Sequence, residues 1–101
     1  MTDTAPYRLA PYKLAEGVAL RSERFGALVY RYDNRRLYFI HSHEVADFVG
    51  GLDGARPLDA AIADFCRARD LPAETGDSLR RTIGQLEGMG LVAPVCVLQD
   101  Q

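Results

Sequence analysis

The apolar pattern of this chain changes period once, near Ile40, and that change limits what the chain can fold into. Before it, the pattern suits strands; beyond it, apolar residues recur every three or four positions, as on one face of a helix. Val18–Glu23 alternates weakly, with Val18 and Leu20 facing one way and Arg21 and Glu23 the other. Residues 25–32 read Phe-Gly-Ala-Leu-Val-Tyr-Arg-Tyr, rich in the aromatic and branched side chains that fit a pleated surface. Asp33 and Asn34 follow, both tolerant of positive φ, and Leu37-Tyr38-Phe39-Ile40 returns. A turn centred on Asp33-Asn34 sets Tyr30 opposite Leu37, Val29 opposite Tyr38, Leu28 opposite Phe39 and Ala27 opposite Ile40. Both faces of the return strand are then apolar. One must cover the helices; the other is covered by something else or waits for a partner. The same register sets Arg31 opposite Arg36, beside Arg35. That end of the hairpin is either a solvated turn or an anion-docking spot.

Past the switch, Ser42 suits an N-cap, with Glu44 in the first turn. Val45, Phe48, Val49 and Leu52 form one stripe of a short helix that Gly50, Gly51 and Gly54 end. Pro57 suits the first position of a second helix through Leu58, Ala61, Ile62, Phe65 and Cys66, which ends near Asp70. A third begins between Pro72 and Asp77. It buries Leu79, Ile83 and Leu86, with Thr82 on the flank, and stops at Gly88 and Gly90. Residues 91–98 read as a final strand or extended tail, in which Pro94 rules out a central position. Strands followed by helices imply an α+β domain. Three short helices closed by a strand are also the build of a winged helix-turn-helix, with the third helix in the recognition position.

At 101 residues the chain is one domain. Residues 1–11 read as a flexible arm, 12–98 as the domain and 99–101 as a tail. The net charge of −2 leaves no electrostatic footprint for nucleic acid. Two cysteines far apart, Cys66 and Cys96, make neither a disulfide scaffold nor a zinc motif, and fit buried thiols in a reducing, cytoplasmic setting. The opening Met1-Thr2-Asp3-Thr4-Ala5-Pro6 lacks the basic start and apolar run of a secretory signal. No apolar stretch reaches the roughly 20 residues that cross a bilayer. His41 and His43 straddle a strand end with no third ligand or nucleophile beside them. Gly50-Gly51-Leu52-Asp53-Gly54 follows a helix and is a turn rather than a phosphate loop. No enzyme activity, metal or cofactor is expected. Tyr30, Tyr32, Tyr38 and Phe39 fit core packing, or a base-stacking platform if a basic groove surrounded them. Arg80 and Arg81 on the third helix leave a DNA-binding winged-helix regulator as the alternative, although Asp77 and Glu87 share that helix.

The segment Val18-Ala-Leu-Arg-Ser-Glu-Arg-Phe-Gly-Ala-Leu-Val-Tyr-Arg-Tyr, with Arg36-Leu-Tyr-Phe-Ile40 after it, resembles the peptide chaperones of mycofactocin biosynthesis. These are PqqD-like RiPP recognition elements. Leu86-Glu-Gly-Met-Gly-Leu-Val92 is similar to the end of their third helix, and the resemblance covers residues 12–98. It implies a three-stranded antiparallel sheet packed on a three-helix winged helix-turn-helix unit. It also implies a non-enzymatic, cofactor-free protein that binds the leader of a ribosomally made precursor as an added strand and presents it to a radical SAM maturase. The pairing strand would be Arg36, Leu37, Tyr38, Phe39 and Ile40. The groove beside the third helix would be walled by Leu79, Arg80, Ile83 and Gln85, although Leu79 and Ile83 fit plain core equally well. Leaders in this family tend to be acidic, so Arg31, Arg35, Arg36, Arg80 and Arg81 would steer binding.

Overall fold

A computed structural model of the chain describes residues 10–95. Four strands come first: β1 (Tyr12–Leu14), β2 (Val18–Glu23), β3 (Gly26–Arg31) and β4 (Arg36–Ile40). Three helices, α1 (His43–Gly50), α2 (Leu58–Ala68) and α3 (Ala73–Gly88), follow, and β5 (Val92–Pro94) closes the series. The main sheet is antiparallel in the order β2-β3-β4. Its β3–β4 register is the one the turn implied, with Val29 on Tyr38, Leu28 on Phe39 and Arg31 on Arg36. The turn differs in detail. The loop spans residues 32–35, and its left-handed residue is Arg35, φ 58°, rather than Asp33 or Asn34. Asn34 acts through its side chain, whose Oδ1 accepts the Arg36 backbone N–H at 3.0 Å. That local bond substitutes for the turn geometry a glycine would supply.

The second sheet was not anticipated. β1 pairs with β5 antiparallel, Tyr12 on Pro94 and Leu14 on Val92. A three-residue strand is too short for any period, and its partner lies at the other end of the domain. Pro94 sits in this two-stranded border, where a missing N–H is tolerated. The arm assigned to residues 1–11 is fixed at its last two positions. Ala10 C=O accepts the Leu58 N–H at 2.9 Å, and Pro11 C=O accepts the Val95 N–H at 2.7 Å. Residues 1–9 of that arm, Cys96 and the tail lie outside the described residues. Cys66 is half-buried rather than buried.

The helices start where their caps dictate. Ser42 Oγ accepts the Val45 N–H at 3.2 Å, with Glu44 in the first turn of α1. Pro57 and Pro72 each stand immediately before the first helical residue, one position earlier than expected for Pro57. Ala27, Val29 and Ile40 from one face of the main sheet pack with Phe48 and Val49 of α1, Ile62 of α2 and Leu79, Ile83 and Leu86 of α3. Burying each large apolar side chain contributes about 1.5–3 kcal/mol. Arg80 fastens α3 to α2, with Nε on Asp59 Oδ1 at 3.0 Å and Nη1 on Asp77 Oδ1 at 2.9 Å. Partial burial opposes its charge, but hydrogen bonds and attraction to the two carboxylates outweigh that and raise its pKa above the ordinary guanidinium value.

Two glycines should respond oppositely to alanine. Gly26 has φ 146°, and a Cβ there would run into the Ile40 carbonyl oxygen. Gly26→Ala should lose at least about 2 kcal/mol of stability by urea denaturation. Gly84 lies inside α3 with open space around it. Gly84→Ala should gain about 0.5–1 kcal/mol in the same assay.

Candidate functional site: the outer edge of β4

In the order β2-β3-β4, both β2 and β4 are edges, and among the described residues no strand pairs with the outer side of either. The ladder determines which backbone groups point outward. Tyr32 N–H donates to Gly17 C=O at 2.9 Å, which continues the β2–β3 register by one step. Hydrogen-bonded and non-bonded pairs alternate along an antiparallel ladder. The even-numbered residues of β3 therefore bond to β2, and Ala27, Val29 and Arg31 bond to β4. On β4 it follows that Arg36, Tyr38 and Ile40 bond inward to β3. Leu37 and Phe39 direct their N–H and C=O groups away from the sheet. The edge presents two donors and two acceptors in the spacing an antiparallel guest strand requires.

Side chains divide the same way. Tyr38 and Ile40 lean on the helices, while Leu37 and Phe39 project from the opposite face at 54% and 61% exposure. Phe39 stands edge-on to Phe25, with ring centroids 5.8 Å apart, and His41 lies 5.2 Å from Phe25. The β2 edge is a poorer template. Arg21 and Ser22 are exposed there, and Arg21 is ion-paired along the strand with Glu23 at 2.6 Å.

The α3 residues expected to wall a groove have separate fates. Leu79 and Ile83 are 2% and 1% exposed, so they are packed in the core. Arg80 is turned toward α2 by Asp59. Gln85 is exposed. At about 100° per residue, Thr82, Gln85 and Met89 lie on the flank of α3 away from Arg80. Thr82 and Met89 complete the flank that holds Gln85; the signal for them was the helical spacing itself.

Sequence reasoning also missed what Arg31 does. Its Nη1 donates to the Met89 carbonyl at 2.8 Å, while Nε and Nη2 reach the two Asp33 oxygens at 2.8 Å and 3.0 Å. The guanidinium caps α3 and ties it to the hairpin. Gly90, φ 78°, leaves the room, since a Cβ there would meet the guanidinium. Asp33 two residues after Arg31 was the available clue. Arg31 is thus not a free anion site. Arg35 and Arg36 are exposed and have no carboxylate partner among the described residues. Arg81 donates to Ser78 Oγ at 3.3 Å. Helix α3 carries three carboxylates, Glu74, Asp77 and Glu87, against two guanidiniums, a poor surface for DNA phosphates. Among the described residues, no three His, Cys, Asp or Glu side chains gather to hold a metal ion, and no helix is long and apolar enough to cross a membrane.

Proline at adjacent β4 positions should separate the two sides of the strand. Tyr38→Pro deletes an N–H that bonds to β3 and should cost about 3 kcal/mol or unfold the chain. Leu37→Pro deletes an outward N–H and should leave the far-ultraviolet circular dichroism native.

Residues 11–93 match the model of the Peptide chaperone MftB family. A solved structure described as lasso peptide synthetase B1 complexed with the leader peptide shares the fold, with a TM-score of 0.66 and 11% identity over 84% of this chain and 100% of that one. No curated protein matches the chain.

Proposed function

We propose that this chain, which belongs to the Peptide chaperone MftB family, holds the leader of a ribosomally made precursor peptide as a fourth strand along β4. It then presents that peptide to a radical SAM maturase in mycofactocin-type cofactor biosynthesis. The observation that carries this reading is the outward-facing backbone of Leu37 and Phe39 on an edge that nothing else in the described chain covers. The similar solved structure, lasso peptide synthetase B1 complexed with the leader peptide, supports it at the level of fold.

The energetics define what a leader must offer. Up to four backbone hydrogen bonds at about 1 kcal/mol net each give about 4 kcal/mol. Micromolar affinity needs about 8 kcal/mol. The difference falls to side chains: apolar leader residues against Leu37 and Phe39 on one face, and polar ones toward Gln85 on the other. Arg35 and Arg36, free of internal carboxylates, attract an acidic leader and help set its register. Leu79, Ile83 and Arg80 hold α3 in place behind the groove. The chain performs no chemistry itself in this reading; bonds in the precursor are made and broken by the maturase.

The test is titration of a fluorescent leader peptide by the purified chain. Leu37→Pro should weaken binding at least tenfold while the protein stays folded, and an unchanged affinity would exclude strand addition at β4. Arg35→Glu combined with Arg36→Glu should slow association and flatten its salt dependence, as read by stopped-flow.

A further inference from the structure

The face of the main sheet that points away from the helices is still unexplained. It carries Phe25, Tyr32, Leu37 and Phe39, at 42%, 58%, 54% and 61% exposure. Beside Leu37 it dips into a depression of about 270 Å³, floored by Ala19, Leu28 and Tyr30 and bordered by Arg21. Charge is distributed around it with a bias. Glu23 and Asp33 are neutralised by Arg21 and Arg31, whereas Arg24 at one end of the sheet and Arg35 and Arg36 at the other are exposed without carboxylate partners among the described residues. Glu16, exposed before β2, is the exception. An apolar centre with an arginine rim is the composition of a protein interface.

We propose that this outer face docks the modifying enzyme, through a surface with an apolar anchor for the depression and carboxylates for the rim. The inference rests on the function proposed above and adds the surface the partner uses. A second copy of this chain is a poor occupant. Arginines stand at both ends of the face, so any two-fold face-to-face pairing brings arginine to arginine. Three strands about 4.8 Å apart and five or six residues long give a face only on the order of 15 by 20 Å, so an enzyme seated on it must also cover the flanking turns and the added leader strand to approach the roughly 800 Å² per partner of a stable complex. A leader on β4 adds a fourth strand to this same face. Leader and enzyme should therefore strengthen each other's binding by equal factors.

The experiment uses the purified chain, leader peptide and radical SAM maturase. Ala19→Arg fills the depression, and Arg24→Glu reverses one end of the rim; neither lies on β4. Both variants should bind leader within twofold of the natural chain. Affinity for the maturase should fall at least tenfold for Ala19→Arg and severalfold for Arg24→Glu, with loss of the mutual enhancement. Arg24→Glu, in an exposed turn, keeps the test valid should Ala19→Arg misfold. Unchanged maturase affinity in the folded variants overturns the proposal. So does a dimer in sedimentation velocity that Ala19→Arg dissolves, or binding of labelled oligothymidine that Arg24→Glu abolishes. A natural chain that binds leader but no maturase overturns the docking face alone; one that binds neither overturns the proposed function as well.

Discussion

The pairing of Val29 with Tyr38 is the constraint on which the rest of this molecule depends. It decides the direction of every group on β4. Slipping β4 by one residue would send Leu37 and Phe39 into the core, push Tyr38 and Ile40 into water and turn the outward amides inward. The register is held from both ends. At the turn, Asn34 receives the Arg36 N–H, and Arg35 takes up the left-handed conformation. At the other end Gly26 lets the backbone pass the Ile40 carbonyl, and Ala27, opposite Ile40, is fully buried.

The hairpin is not an appendage on the helices. Arg31 reaches from β3 to the carbonyl that ends α3 while holding Asp33 in its own turn. Arg80 does the equivalent between α3 and α2. Each guanidinium is used up in setting one element against the next. A sheet edge backed in this way is pre-organised, so a strand added to it would cost the domain little conformational entropy. Arg24, Arg35 and Arg36, which have no carboxylate partner among the described residues, stand exposed at the ends of the sheet.

Much of this was legible in the sequence wherever a pattern repeats. The β3–β4 register, the Ser42 cap and the buried stripe of Leu79, Ile83 and Leu86 follow from periods of 2 and 3.6 and from one cap residue. What could not be read were features set by distant pairing or by a single side chain's choice of partner. β1 exists only because β5, some eighty positions away, lies beside it. Arg31 and Arg80 look like free surface cations in sequence, and only the folded arrangement shows which carboxylates and carbonyl they serve. For the candidate site, β4 and its register were legible in the sequence, and the placement of the α3 side chains was not. Leu79 and Ile83 satisfy the same spacing whether they line a groove or fill a core, and burial decides between them.

The short β1–β5 ribbon has a consequence for how this domain can be joined to others. Pro11 and Val95 are hydrogen-bonded to each other, so the two ends of the described fold lie side by side, like two cords through a single grommet. A domain whose entrance and exit coincide can be spliced into a surface loop of a larger enzyme, or hung from either terminus, without pulling on its hairpin. A free-standing domain of this fold and a built-in one are then the same piece of protein architecture, differing only in where the chain was cut.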